Sequence, residues 1–188
     1  MNDTGPESTV PPGTPGGGGG GLRPPQSDAG QGGGIPPHHD PSCWGCGDNP
    51  NGLRLPLPAE EGATEYDAYF SFDERHQGGP GIVHGGLVSA ALDEACGLLA
   101  TWYAFPAVTA RIFVRYRRPV PINTELLIRA QIAEVSGRRI HTTASISDGD
   151  EVLSECRAAL LHVPLEHFLA TPEGRAAGER WRERLGDG

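Results

Sequence analysis

The segment from Gly85 to Tyr103 constrains the fold more than any other part of the chain, because it is apolar on nearly every face when drawn as a helix. It follows a turn that ends in His84, and Pro106 marks its end because proline cannot continue a helix. Helices that are hydrophobic all round are normally buried. Two carboxylates, Asp93 and Glu94, lie in its middle, and a buried carboxylate is costly unless it is paired, protonated or used in chemistry. Other elements must therefore surround this helix.

Six further segments have strand-like patterns: residues 52–57, 64–72, 107–118, 125–134, 138–147 and 152–163. The turns that join the last three are short, which favours an antiparallel meander. Within residues 107–118, strict alternation places Val108 and Ala110 on one face and Thr109 with Arg111 on the other. One buried helix beside four to six antiparallel strands predicts an α+β fold in which the sheet wraps around one long central helix.

The two ends of the chain differ in composition from its middle. Of 28 glycines and 18 prolines, 12 and 8 lie in the first 40 residues, where almost nothing can form a core. We expect residues 1–40 to be a disordered extension, residues 41–165 to be the folded domain and residues 166–188 to be a helical tail. The tail has a candidate N-cap, Thr171, followed by Pro172 at the first helical position.

Charge and hydropathy exclude several classes of protein. The formal net charge of −9 argues against general affinity for nucleic acid or an anionic membrane. The positive charge comes from arginine alone, and seven arginines lie between Arg111 and Arg139, so a local anion site is compatible with the acidic whole. No basic start precedes an apolar stretch, and no segment is long enough to span a bilayer. We therefore expect a cytoplasmic protein without a membrane span.

Four cysteines in such a chain do not suggest a disulfide framework. Cys96 and Cys156 lie in apolar segments, where free cysteine behaves as a small hydrophobe. Cys43 and Cys46 form a Cys-x-x-Cys pair near two histidines of the extension, but structural zinc needs four ligands and one pair is half a site. A packed turn is the favoured interpretation, so we expect no bound metal. An interaction or metal-dependent protein centred on this pair is the competing hypothesis.

The start of the central helix is suited to polarising a carbonyl. The amides of Gly85 and Gly86 are unpaired at the positive end of the helix dipole, and glycine lets a carbonyl approach closely. His84 either caps this turn or takes part in the chemistry. Further along the helix, Asp93 shares its face with small residues that leave room for a ligand: Ser89, Ala90, Gly97 and Ala100. Glu94 lies on another side and is expected at a rim or a dimer contact.

Several motifs occur in a characteristic order: the Cys43–Gly47 turn with Asn51-Gly52-Leu53, then His84-Gly85-Gly86, Asp93, Arg118-Pro119-Val120 and Ser136-Gly137-Arg138-Arg139. Over roughly residues 42–163 the chain resembles the hot-dog thioesterases of the PaaI type, including the branch with mammalian long-chain acyl-CoA thioesterases. The resemblance implies a dimeric hot-dog fold that hydrolyses fatty acyl-CoA, of medium to long chain, to fatty acid and CoA. An aryl-CoA thioesterase and a non-catalytic acyl-CoA-binding regulatory protein are the alternatives.

The resemblance also implies roles for individual residues and no cofactor or metal. Asp93 corresponds to the general base or nucleophile, the amide of Gly85 or Gly86 beside His84 polarises the thioester carbonyl, and Thr109 orients the water. The CoA moiety is assigned to four arginines and one turn glycine: Arg115, Arg117, Gly137, Arg138 and Arg139.

One position departs from the family pattern. Many relatives carry asparagine six residues before the histidine, where this chain has Gly78. Gln77, one position away, is a candidate substitute.

The spacing of the two catalytic candidates predicts an oligomer. Gly85 and Asp93 are eight residues apart, or about 12 Å along a helix. One carbonyl cannot lie about 3 Å from both groups, as the acid and the oxyanion donor require. We therefore expect a homodimer or a dimer of dimers, with Asp93 from one chain and Gly85 from its partner at each site.

Overall fold

The computed structural model describes residues 40, 42–58 and 63–185, without the side chains of residues 182–185. The predicted disordered extension, residues 1–40, lies outside the described residues except for Asp40. No helix among the described residues is long and apolar enough to cross a membrane.

One antiparallel five-stranded sheet packs against one long helix, α1, as the pattern predicts. Helix α1 spans Gly85–Tyr103, the bounds expected from the sequence. The sheet has the strand order β1-β5-β6-β7-β4, with β1 at Glu65–Phe70, β4 at Ala107–Tyr116, β5 at Leu126–Ser136, β6 at Arg139–Asp148 and β7 at Glu151–His162. Two short strands, β2 (Gln77–Gly79) and β3 (Ile82–Val83), form a hairpin just before α1.

The core lies between α1 and the inner face of the sheet. Leu92 and Leu99 of the helix are fully buried, and each stabilises the fold by about 2 kcal/mol through the apolar surface it removes from water. Inward side chains alternate along the strands, as in β1, where Tyr66, Ala68 and Phe70 are buried between exposed neighbours. The alternation fixes which face of each strand meets the helix.

Strand β4 departs from the strict alternation expected from the sequence. Its register on β7 pairs Thr109 with Leu160 and then Arg111 with Ala159, so Ala110 is an extra, unpaired residue in a β-bulge. Leu160 faces the core, so the bulge turns Thr109 towards the helix. The prediction that Thr109 shares a face with Arg111 is therefore wrong.

The predicted strand at residues 52–57 does not form. Leu53 and Leu55 donate their amides to the carbonyls of Trp44 and Gly45 at 2.9 Å, so the segment bonds to the Cys43–Cys46 turn instead of the sheet. Pro56 has no amide to continue a strand ladder. This pairing holds the N-terminal turn in a fixed position.

The C-terminal helix α2 spans Pro172–Leu185. The amide of Gly174 donates to Thr171 Oγ1 at 3.0 Å, which confirms the expected N-cap. Trp181 is buried and contacts Phe105 and Phe168 edge to face, with ring centroids 5.3 and 5.4 Å away. Aromatic contacts therefore attach α2 to the domain.

Candidate active site

His84 is the N-cap of α1. Its backbone is extended, and its Nδ1 accepts the Gly86 amide at 3.0 Å. The sequence left a cap and a chemical role open for this histidine, and the structure places it in the cap geometry. The Gly86 amide is thereby engaged, which leaves Gly85 as the better candidate donor.

Gly85 presents its amide at the exposed start of the helix. No acceptor for this N–H lies among the described residues, whereas its carbonyl accepts the Tyr116 hydroxyl at 2.9 Å and the Ser89 hydroxyl at 3.2 Å. The Ser89 and Tyr116 hydroxyls also contact each other. Sequence reasoning assigned no role to Tyr116 and so missed this contact. Tyr116 and Ser89 fix the backbone beside the unpaired amide.

Asp93 and Thr109 meet where α1 passes the bulge of β4. Thr109 Oγ1 donates to Asp93 Oδ1 at 2.9 Å. Burial raises the pKa of Asp93 above its ordinary value, and the Thr109 hydrogen bond partly offsets that rise. A half-buried carboxylate beside a hydroxyl is a geometry that can accept a proton from water or attack a carbonyl.

Open space borders Asp93 along the helix. A Cβ added at Gly97, one turn further on, would have no heavy atom within 4 Å among the described residues outside its own stretch of helix. Ser89 and Ala90 on the preceding turn are small and partly exposed. Small residues therefore line α1 on both sides of Asp93.

Gly78 cannot be replaced by the asparagine found in many relatives without moving the chain. A Cβ at this position would lie 2.6 Å from the His84 Cα, a backbone atom. The neighbouring Gln77 uses its side-chain oxygen to accept the Gly81 amide at 2.9 Å. The Gln77 side chain is therefore already engaged in a hydrogen bond within its own loop.

We expect Gly78→Ala to lower the free energy of unfolding by about 1–3 kcal/mol, because the new methyl group overpacks against the His84 backbone. Thermal or denaturant unfolding of the purified chain measures this. Gly79→Ala is the matched control, since its Cβ would meet only the flexible Ile82 side chain, at 3.3 Å. Equal stability of the two variants would contradict the assigned contact.

The basic residues expected to hold CoA do not form one cluster within the chain. Arg115 and Arg117 lie 4.0 and 2.7 Å from Glu155, whereas Arg139 pairs with Leu161 on the same strand β7. Glu155 and Leu161 are six positions apart on β7, which corresponds to about 20 Å. Arg138 and Gly137 belong to the exposed β5–β6 turn, where Gly137 has a φ of 58°. The expected set is therefore split between two ends of the sheet.

The Cys43–Cys46 turn rests against α1 at Glu94, a contact that the expected rim or dimer position of Glu94 did not include. The Cys43 Sγ is 4.0 Å from Glu94 Oε1. A hydrogen bond with Cys43, burial and the nearby Glu94 charge raise the pKa of the Cys46 thiol well above its usual range. Sequence reasoning missed this contact because 51 residues separate Cys43 from Glu94.

A sheet of antiparallel strands packed on one long helix, with an acid in that helix and a glycine-rich start, is the architecture of a hot-dog domain. Residues 80–155 match the family model described as Thioesterase superfamily. The domain therefore has the hot-dog fold, and its residues 80–155 are similar to the thioesterase superfamily.

Curated relatives cover part of the chain. The acyl-coenzyme A thioesterase THEM4 of Xenopus laevis is 27% identical over 89 residues, which are 47% of this chain and 40% of that protein. The THEM4 of Mus musculus is 29% identical over 90 residues, 48% of this chain and 39% of that protein. The chain thus aligns with well under half the length of these relatives.

Solved structures show the same fold. The crystal structure of a thioesterase superfamily protein has a TM-score of 0.57 at 27% identity, covering 65% of this chain and 60% of that one. The zebra fish thioesterase superfamily member 2 has a TM-score of 0.54 at 17% identity, covering 62% and 89%. A thioesterase-like phenylacetic acid degradation-related protein from Ralstonia eutropha has 0.53 at 18%, covering 58% and 85%.

Proposed function

We propose that this domain hydrolyses acyl-CoA thioesters to free acid and CoA, with Asp93 as the general base or nucleophile. The observation that carries the proposal is the half-buried Asp93 carboxylate, which accepts the Thr109 hydroxyl at 2.9 Å beside open space. Burial keeps water from solvating the carboxylate fully, which makes it a stronger base. The relatives named acyl-coenzyme A thioesterase support the same reaction.

In this proposal the Gly85 amide stabilises the oxyanion, and it comes from a partner chain. Its N–H is unpaired at the helix start, whereas Asp93 is two turns away on the same helix. Strand β4 supports a two-fold arrangement, because it lies at an edge of the sheet and carries Thr109. It also carries Phe113, which points outward and is 70% exposed. Edge strands with unpaired backbone groups are templates for a second copy.

The substrate we propose is a fatty acyl-CoA of medium to long chain. The open surface at Gly97 and the small residues before Asp93 support a site that admits an extended acyl chain. For the CoA phosphates, Arg138 and Arg139 at the β5–β6 turn are better candidates than Arg115 and Arg117, because Glu155 already pairs with Arg117 at 2.7 Å and lies 4.0 Å from Arg115. Arginine binds phosphate through its planar fork.

A panel of acyl-CoA esters with a short, a long and an aromatic acyl group tests this function, with free CoA detected by a thiol reagent. We expect the highest kcat/KM for the long ester. Preference for the aromatic ester would support the aryl-CoA alternative. Binding of the esters without release of CoA would contradict the enzyme proposal and identify a binding module.

We expect Thr109→Val to move the acidic limb of the kcat/KM profile to higher pH. The Thr109 hydrogen bond lowers the pKa of Asp93 against the effect of burial, so its loss raises that pKa. The base must be ionised, so activity then requires a more alkaline pH. Thr109→Ser keeps the hydroxyl, so the acidic limb of its profile should lie at the same pH as in wild type. Identical profiles for Val and wild type would contradict the role of this contact.

A further inference from the structure

A second cluster of reactive side chains involves Glu94, which follows Asp93 in α1 and therefore lies on a different face of the helix. The sulfur atoms of Cys43 and Cys46 and a carboxylate oxygen of Glu94 all lie within 4.8 Å of one another. Cys46 is 3% exposed, and the other two residues are partly buried. The cluster therefore combines two soft ligands and one hard ligand in a largely desolvated place.

The backbone holds the two cysteines in one tight turn. The Gly47 amide donates to the Cys43 carbonyl at 3.0 Å, which brings both thiols to the same side of the turn. The amides of Leu53 and Leu55 bind the carbonyls of Trp44 and Gly45 at 2.9 Å. These hydrogen bonds hold the turn in place without a bound ligand.

Gly45 makes room for the third group. A Cβ at this position would lie 2.0 Å from Glu94 Oε2 and 2.1 Å from its Cδ. The Glu94 carboxylate can therefore sit beside the two sulfurs only because residue 45 has no side chain. Loop and helix are shaped to bring these three groups together.

We propose that Cys43, Cys46 and Glu94 bind a zinc ion. Two thiolates and a carboxylate suit zinc, whereas magnesium and calcium prefer oxygen ligands alone. Ligands at zinc bond lengths of 2.0–2.3 Å lie about 3.5–3.8 Å apart in a tetrahedron, so the three atoms need to approach by only about 1 Å. These residues leave the fourth tetrahedral position to a donor outside the cluster.

The ion would attach the N-terminal turn to α1 at the residue that follows Asp93. A ligand that binds the folded chain and not the unfolded chain raises the free energy of unfolding by mass action. Zinc is therefore expected to stabilise the domain, whether or not the domain hydrolyses acyl-CoA. The site does not depend on the proposed function.

Metal content and cobalt spectroscopy of the full chain test the proposal. After removal of any affinity tag, protein purified under reducing conditions should hold about one zinc ion per chain. Replacement by Co²⁺ should give thiolate-to-cobalt charge-transfer absorption and the visible bands of a tetrahedral ion. Removal of zinc by a chelator should lower Tm, and added zinc should restore it.

Variants locate the ion. Cys43→Ser and Cys46→Ser should each lose the charge-transfer band, and Glu94→Gln should weaken Co²⁺ binding by at least about 100-fold. Gly45→Ala removes no ligand but displaces the Glu94 carboxylate, so it should weaken binding by about 10-fold or more. Cys96→Ala, which removes a buried thiol elsewhere, and Glu134→Gln, which removes an exposed carboxylate, should bind as wild type does.

Three results would overturn the proposal. One is protein that contains no zinc and gives no thiolate band with Co²⁺. Another is a band that survives in both Cys43→Ser and Cys46→Ser, or disappears in Cys96→Ala. The third is a Cys43–Cys46 disulfide in freshly isolated protein, detected by mass spectrometry, because it would leave no thiolate to bind the ion. If a cysteine variant fails to fold, the Co²⁺ affinities of Gly45→Ala and Glu94→Gln still test the proposal.

Discussion

Asp93→Asn is expected to lower kcat for acyl-CoA hydrolysis by about 10²–10⁴-fold, the usual contribution of a positioned base. Asparagine has nearly the same shape, and its side-chain oxygen can still accept the Thr109 hydroxyl, which now lies 2.9 Å from Asp93 Oδ1. The fold and substrate affinity should therefore persist while the chemistry fails. Initial rates of CoA release measure kcat, and calorimetric titration with acyl-CoA measures binding.

The control for this variant is Asp67→Asn on β1. Asp67 is an exposed carboxylate that pairs with Arg129 at 3.0 Å, so its loss should leave kcat within about twofold, as expected for an exposed ion pair. If Asp93→Asn hydrolyses as fast as wild type, Asp93 is a structural acid and the proposed mechanism is wrong. If wild type binds acyl-CoA and releases no CoA, the regulatory alternative is favoured.

The sequence predicted the central helix and most strands because their patterns are local. The apolar run between His84 and Pro106 specifies both bounds of α1, and alternation specifies β5, β6 and β7 to within about two residues. Residues 52–57 were predicted as a strand on the same basis. Their amides bind the Cys43–Cys46 turn instead, a partner that no local pattern reveals.

The sequence supplied candidates for the site but not the contacts that join them. The rise of an α-helix shows, from the sequence alone, that Gly85 and Asp93 lie about 12 Å apart. The Thr109 contact depends on a bulge at Ala110. A pattern of strict alternation along the sequence does not reveal such an extra residue. The Glu94 contact with Cys43 joins residues 51 positions apart. Only the fold brings such residues together.

Gly85→Pro should lower kcat by about 10²–10³-fold, the effect of removing one oxyanion-hole donor. Proline lacks the amide hydrogen but is well accommodated at the first position of a helix. His84 before it is extended, with φ −61° and ψ 129°, as a residue preceding proline should be. A Cβ at Gly85 meets only the Tyr116 ring, at 3.7 Å, so the helix should form normally.

Gly85→Ala is the matched control, because it adds the same Cβ and keeps the N–H. Its kcat should stay within about tenfold of wild type, well above that of the proline variant. Circular dichroism and Tm establish that both variants fold. Equal activity of the proline and alanine variants would show that the Gly85 amide has no part in catalysis.

Mixing the two inactive variants tests whether each site uses two chains. In a heterodimer of Asp93→Asn with Gly85→Pro, one site carries both changes and the other carries neither, if the acid and the amide come from different protomers. Co-expressed chains with two different tags should therefore recover activity far above either parent. If both groups came from one chain, every site would contain one damaged group and no activity would return. The 12 Å helix rise between the two groups, estimated from 1.5 Å per residue, requires recovery.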